Sequence, residues 1–289
     1  MRKFSKITLI IAGVAGAVGL GLTIGGTAMG ATVAGLNFRK ENWGQMLHSV
    51  VTQHVTFRDD GAWEEDWDEL QKLQPSKSTD DSVIYQTDTA SSLHILLSTD
   101  QLAFSEYDGK EICIEVTGNK KGKVRVGQEG DELVIEGIGR VKDRNITVKY
   151  PKGYLFEDVS ANVAAGTVQI CNDFAADDME ISMAAGEFTN SGSLTANDLD
   201  ISVGTGNAEF KNLEIQNLEG ECGVGNIELH MNRTEKDYNY EISCGAGSVE
   251  IGDSSYEGIG NEKKISNPGA EGTMKLECGI GTITVDFAE

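Results

Sequence analysis

Basic residues are scarce in this 289-residue chain, which has 24 Lys and Arg against 46 Asp and Glu and a formal charge of −22. Nucleic-acid binding requires clustered Lys and Arg to neutralise phosphates, so this deficit argues against that class of protein. Proline is also rare, with 3 residues, whereas glycine occurs 35 times. This combination is typical of many tight turns between strands.

Common catalytic and metal-binding motifs are also lacking. The five cysteines show no CxxC spacing, and their odd number leaves at least one free thiol, so no disulfide framework is expected. The four histidines are scattered, and neither GxSxG nor HExxH occurs. The sequence therefore predicts no enzyme, no catalytic residue and no cofactor. A polysaccharide-cleaving β-helix, which would place acidic residues on one face, is the enzymatic alternative.

The N-terminus has the pattern of a membrane anchor. Residues 1–6 contain three basic residues and precede an uncharged run over residues 7–38. Spanning a bilayer takes about 20 apolar residues, so this run predicts a transmembrane helix with residues 1–6 in the cytoplasm and the rest outside. A cleaved signal peptide is the alternative, because Ala28-Met29-Gly30 offers a small-x-small cleavage site. The glycine spacing within the run also allows weak self-association.

Three regions are predicted to follow the anchor. Residues 39–82 form an acidic juxtamembrane stalk or linker that ends in "QPSKSTDDS". Residues 83–158 form an N-terminal β region, because runs such as "SLHILLS" and "EICIEVTG" alternate between apolar and polar residues. Residues 159–289 form a repeat domain.

The repeats are defined by a glycine that ends a Gly/Ala-x-Gly motif, which we call the marker glycine. The marker glycines are Gly166, Gly186, Gly206, Gly225, Gly247 and Gly281, separated by 20, 20, 19, 22 and 34 residues. Positions seven, five and three before each marker and two and four after it are mostly apolar, with Asn190 a polar exception. Each unit is thus a strand, a tight corner and a second strand, which buries its apolar face only by stacking on equivalent units. The sequence predicts an all-β fold, a β-solenoid of about six coils of ~20 residues.

These motifs resemble the bacterial putative-adhesin β-strand-repeat family, related to auto-transporter-adhesin-like head domains. The resemblance rests on the Gly-rich anchor ending "GLTIGGTAMG", on "LHILLSTDQLAFSEYDGKEICIEVTG", and on the repeats "ISVGTGNAEF", "ECGVGNIELH" and "ECGIGTITVDF". It implies an anchored or secreted envelope protein, sometimes associated with envelope-stress systems. It implies no catalytic residues.

Three cysteines fall in one repeat position, three residues before the marker. The members of this position are Val163, Met183, Val203, Cys222, Cys244 and Cys278. A position that accepts Val and Met is an inward apolar position, where free Cys acts as a small hydrophobe. Core packing is therefore favoured over a disulfide between coils or a metal site. The Gly-x-Gly motif is not a phosphate-binding loop, because a second strand follows it instead of a helix.

Two outward repeat positions are rich in carboxylates. The first acidic column, six residues before the marker, contains Ser160, Glu180, Asp200, Glu219, Glu241 and Lys275. The second acidic column, three residues after it, contains Gln169, Thr189, Glu209, Glu228, Glu250 and Thr284. Like charges about 5 Å apart repel, so the columns either bind divalent cations or a cationic polymer, or form a solvated face screened by salt.

Together these features predict a membrane-anchored, extracytoplasmic, non-enzymatic module. Its expected partners are a cell-wall polymer, a surface ligand or membrane signalling proteins. An accessory role in envelope-stress signalling is the alternative from another functional class.

Overall fold

The computed structural model describes residues 70–88, 90–119, 121–139, 141, 143–257 and 261–288, and the backbone of two short strands before them. These two strands, β1 (Val55–Phe57) and β2 (Trp63–Glu65), pair antiparallel. Within this part of the chain no helix is long and apolar enough to cross a membrane. The predicted anchor, residues 7–38, lies outside the described residues, and the all-β class is confirmed.

The middle of the molecule is a stack of parallel coils. They are formed by β12 (Leu155–Ile170), β13 (Phe174–Asn190) and β14 (Leu194–Met231). The strand β14 is long enough to contribute two coils. The register follows the predicted repeat, because Val163 pairs with Met183 and Met183 with Val203. In each coil we call the residues before the corner the first limb and those after it the second limb.

The marker glycines form a continuous column at the corner. Gly186 and Gly206 have φ of 145° and 142°, values that L-residues rarely adopt. A Cβ on Gly206 would overlap the carbonyl oxygen of Gly186, and a Cβ on Gly225 would overlap that of Gly206. Glycine is therefore required here by both the backbone angle and the close approach of the next coil.

The C-terminal coils do not stack in chain order. The fifth coil is β15 (Tyr238–Cys244) with β16 (Ser248–Ile251), and the sixth is β19 (Gly272–Phe287). The strand β19 pairs in parallel with the second half of β14 on one side and with β15 and β16 on the other. The last coil in sequence is thus inserted between the fourth and the fifth.

The intervening segment closes this end of the stack. A 3-10 turn, Glu235–Asp237, precedes β15. The strands β17 (Ser254–Glu257) and β18 (Asn261–Ile265) pair antiparallel with β16 and β15. The long separation of 34 residues between the last two marker glycines therefore includes two strands that cover the edge of the fifth coil, which reduces the exposed parallel edge.

The N-terminal strands continue the stack in the other direction. Their bounds are β3 (Gln71–Lys72), β4 (Lys77–Ser78), β5 (Ser82–Thr87), β6 (Ser92–Leu97), β7 (Gln101–Tyr107), β8 (Ile112–Gly118), β9 (Val124–Glu129), β10 (Glu132–Gly137) and β11 (Arg144–Pro151). The strands β6 and β7 pair in parallel with β12, and β10 and β11 pair in parallel with β6 and β7. The antiparallel strands β9, β8 and β5 complete this end, and β3 and β4, within the predicted stalk, pair with β9 and β5.

One segment of this region lies in a different limb of the coil from the one that its pattern indicates. The sequence "ITVKYPKG" fits the first half of the repeat, whereas the structure places Ile146 beside Leu102, which pairs with Val168 after the corner. The segment is therefore a second limb. Its alternation fits both limbs equally, so only the pairing partner distinguishes them.

The core is a continuous apolar interior shared by all the coils, including Leu93, Phe188 and Ile283. The rings of Phe188 and Phe210 stack with centroids 4.2 Å apart. The buried polar exception, Asn190, donates from Nδ2 to the carbonyl oxygens of Gly192 and Lys211, each at 2.7 Å. These bonds replace water and explain why an amide is tolerated there.

Candidate functional site

The cysteine position is an apolar core position, as expected. Cys222 pairs in register with Cys278, and Cys278 with Cys244, so Cys278 lies in the middle. All three are buried free thiols. A hydrogen bond between the Cys222 and Cys278 thiols, together with burial, raises the pKa of Cys222. Thiolate is the nucleophile and metal ligand, so these surroundings disfavour the reactive form of Cys222.

The inserted strand β19 changes the first acidic column. Glu180 pairs with Asp200, but Glu219 pairs with Lys275, and Lys275 with Glu241. The Lys275 ammonium forms ion pairs with Glu219 and, at 3.0 Å, with Glu277. Glu241 accepts a 2.6 Å contact from Lys264 on β18. The column is therefore an acidic run interrupted by a lysine between Glu219 and Glu241, because chain order and spatial order differ.

A buried carboxyl lies beside this lysine. Glu221 is 7% exposed and pairs in register with Glu277. Burial, followed by repulsion from Glu277 and Glu219, raises the pKa of Glu221 to about 8, and nearby Lys275 opposes the shift. Glu221 is thus a carboxyl that can remain protonated near neutral pH. In the same position, four residues before the marker, the middle coils carry Asn162, Ser182 and Ser202.

The second acidic column is also divided by β19. Thr284 pairs with both Glu228 and Glu250, so Glu250 is two coils away from Glu228. Glu209, one coil before Glu228, is 2.8 Å from the Lys211 ammonium. The structure therefore brings Glu209 and Glu228 together and separates Glu250 from them.

A histidine completes a cluster with these two carboxylates, which we call the Glu/His cluster: Glu209, Glu228 and His230. One potential ligand atom from each side chain lies within 4.8 Å of the other two. His230 pairs in register with Asp286, whose Oδ2 is 3.4 Å from His230 Nδ1. Carboxylate oxygen and imidazole nitrogen together are a ligand set for divalent transition metals.

A buried ion pair lies at the N-terminal end of the glycine column. Arg144 and Asp100 are both fully buried, and Arg144 Nη2 donates to Asp100 Oδ2 at 3.0 Å. Arg144 Nη1 also donates to the carbonyl oxygen of Lys123 at 2.6 Å. Asp100 occupies the corner next to Gly166, where a Cβ on Gly166 would overlap the Asp100 carbonyl oxygen. The glycine column therefore ends at Asp100, which is held by an arginine that donates several hydrogen bonds.

Several ionisable residues of these clusters lie outside the two predicted acidic columns. Glu221 and Glu277 lie four residues before their markers, and His230 and Asp286 lie five after theirs. Aligning these two positions as well would have identified all four residues. Their pairing could not be found, because it depends on the position of β19 in the stack.

Comparison with known proteins identifies the family. Residues 76–287 match the model described as Toastrack DUF4097. No curated protein matches the chain.

Two solved structures illustrate what the chain is similar to. A putative cell adhesion protein from Clostridium sporogenes is 17% identical, with a TM-score of 0.39, covering 74% of this chain and 100% of its own. A putative adhesin from Bacteroides fragilis is 17% identical, with a TM-score of 0.41, covering 74% of this chain and 99% of its own. At these values neither protein's role transfers to this chain. The family match, over most of the described residues, carries the assignment and confirms the resemblance seen in the repeats: the chain belongs to the Toastrack DUF4097 family.

Proposed function

We propose that this protein is a membrane-anchored, extracytoplasmic and non-enzymatic module that contacts a cationic partner at the cell surface through its outward carboxylates. The anchor is supported by the basic N-terminus and the uncharged run over residues 7–38. The cationic nature of the partner is supported by the formal charge of −22.

The observation that carries the proposal is a rigid face with repeated carboxylates. Glu180 and Asp200 occupy the same outward position on paired coils, above an apolar interior that fixes their spacing. Parallel coils are about 4.8 Å apart, so their carboxylates form a periodic array. Such an array suits a partner with regularly repeated cationic groups, such as a cell-wall polymer or surface ligand, because each group meets a preorganised charge.

The proposed location is tested on the full-length chain with a C-terminal epitope. We expect the epitope to be digested by protease added outside the cytoplasmic membrane, and the protein to stay in the membrane after alkaline carbonate washing. An epitope protected in intact spheroplasts, or a protein released by carbonate, would contradict the anchor and its orientation.

The proposed interaction is tested by neutralising the array. Glu180→Gln with Asp200→Asn removes two charges from it, and Asp177→Asn with Glu187→Gln removes two exposed charges outside it. We expect only the first pair to reduce capture of surface material by a photo-crosslinker placed at Ser182, between the two carboxylates and the corner. Equal reductions would indicate a general charge effect, and capture of a membrane kinase would favour the signalling alternative. Release of sugars from envelope polysaccharide, abolished by the first pair alone, would contradict the non-enzymatic role.

A further inference from the structure

The Glu/His cluster is set on rigid elements. Glu209 is on the third coil, and Glu228 and His230 are two residues apart on the fourth, so all three side chains point outward from neighbouring second limbs. The apolar positions between and beside them, Phe210, Ile227 and Leu229, are fully buried. Buried anchors of this kind fix the backbone beneath the three ligand atoms.

The three ligand atoms are close enough for one metal ion. They lie within 4.8 Å of one another. In a tetrahedral zinc site with bonds of about 2.0–2.2 Å, ligand atoms are about 3.4 Å apart. The remaining difference is at most about 1.4 Å, which rotation of the partly exposed Glu209 and the exposed Glu228 side chains can close.

The donor set favours a transition metal over calcium. Calcium takes six to eight oxygen ligands, whereas a site with one imidazole and two carboxylates is typical of zinc and related ions. Two carboxylates and a neutral imidazole also neutralise a divalent cation, which relieves the repulsion between Glu209 and Glu228.

A further carboxylate is placed to orient the histidine. Asp286, on the neighbouring coil β19, faces His230 Nδ1 at 3.4 Å. Histidines that bind metals commonly donate their other ring N–H to a carboxylate, which fixes the tautomer and the ring orientation. With Nδ1–H directed at Asp286, Nε2 is the nitrogen directed to the metal. This contact exists only because β19 is inserted next to the fourth coil.

From these contacts we propose that Glu209, Glu228 and His230 bind one divalent transition-metal ion of the zinc class, with Asp286 as the positioning residue. This metal site does not depend on the proposed contact with a cationic partner. That contact involves carboxylates of the first limb, whereas the metal ion would bind on the second limb. It narrows the predicted cation-binding column to two of its members and leaves Glu250 outside the site.

Lys211 allows a separate test of the proposed metal site. Its ammonium is 2.8 Å from Glu209 Oε1 and competes with a metal for that carboxylate. Both side chains are partly exposed, so the lysine can swing aside when a metal binds. Removing its charge should therefore tighten metal binding, the reverse of what loss of a ligand does.

The test is calorimetric titration of zinc chloride into the full-length chain in detergent micelles. We expect one ion per chain, with His230→Gln and Glu228→Gln each weakening binding by about tenfold or more and Asp286→Asn by about tenfold. Lys211→Met should tighten binding, and Glu250→Gln, from the same column but across Thr284, should leave it unchanged. Circular dichroism of each variant excludes unfolding as the cause.

Cobalt(II) binding distinguishes this site from the thiols. Nitrogen and oxygen ligands give visible d–d bands without the strong thiolate-to-cobalt charge-transfer absorption. That absorption, equal affinities for His230→Gln and Glu250→Gln, or no zinc binding at all would overturn the proposal.

Discussion

The middle coils and the C-terminal coils follow the same repeat but differ in how they stack. In β12, β13 and the first half of β14, neighbours in sequence are neighbours in space. At the C-terminal end β19 lies between coils four and five. The middle region consequently repeats one pattern of contacts, whereas the C-terminal region brings together Lys275 with Glu219, Glu221 with Glu277, and His230 with Asp286. Inserting one coil out of order thus creates side-chain combinations that a regular repeat cannot.

The largest expected loss of stability comes from a substitution in the glycine column of the middle coils. Gly206→Ala introduces a Cβ at φ 142° that overlaps the Gly186 carbonyl oxygen, so we expect a loss of at least about 4–5 kcal/mol in the free energy of unfolding. The control is Gly153→Ala, at φ 67° with open space around it, which should cost about 1–2 kcal/mol. Urea unfolding measures both, and equal losses would show that the backbone angle alone matters.

The buried arginine at the N-terminal end should come next. Arg144→Met leaves the Asp100 carboxylate buried without its partner, which typically costs about 3–5 kcal/mol. The exposed pair of Lys152 and Asp108, 3.0 Å apart, is the control, and Lys152→Met should cause a much smaller loss, because water screens both charges. Similar losses in the free energy of unfolding, measured with urea, would show that burial does not increase the cost of removing one partner of an ion pair.

The pH dependence of stability should reveal the buried carboxyl of the C-terminal coils. The folded-state pKa of Glu221, about 8, lies above its usual 4.5, so the folded chain keeps a proton that the unfolded chain releases in this window. Stability should therefore decrease as pH rises from 4.5 to 8 and then level off. Glu221→Gln should remove most of this decrease, whereas the exposed Glu187→Gln should not. Identical pH profiles for the two variants would contradict the shift.

The lysine carried by the inserted coil should have a smaller effect. Lys275→Met removes the cation between Glu219 and Glu277, and we expect a loss of about 1–2 kcal/mol because these groups are partly buried. Lys264→Met, from an exposed pair with Glu241, should cost less than about 1 kcal/mol. Thermal unfolding at one pH compares them, and a larger loss at Lys264 would reverse the comparison.

The smallest expected effect is a reciprocal exchange in the inward position that both regions share. Cys222→Val and Val203→Cys replace one small apolar side chain with another, so each should change the free energy of unfolding by less than about 1.5 kcal/mol. Urea unfolding under reducing conditions measures both. A much larger loss for Cys222→Val alone would assign the thiol a role beyond packing.

The repeat and its corner could be predicted because they depend on local residue spacing. The marker glycines and the alternation around them require nothing beyond the chain itself, and the register of Val163, Met183 and Val203 follows from them. The sites could be predicted only in part. Glu209 and Glu228 are adjacent as expected. Glu250 is not adjacent to Glu228, because Thr284 of β19 lies between these two residues.

The sequence by itself determined the class of fold, since period-2 alternation and glycine corners recur with a spacing that only stacked coils satisfy. Tertiary structure alone decided the order of the coils. Every repeat presents the same backbone edge, so hydrogen bonding between parallel strands accepts any coil as a neighbour. In the structure β19 pairs with the fourth coil on one side and the fifth on the other, and β17 and β18 cover the other edge of the fifth, an arrangement of distant residues that no local pattern encodes.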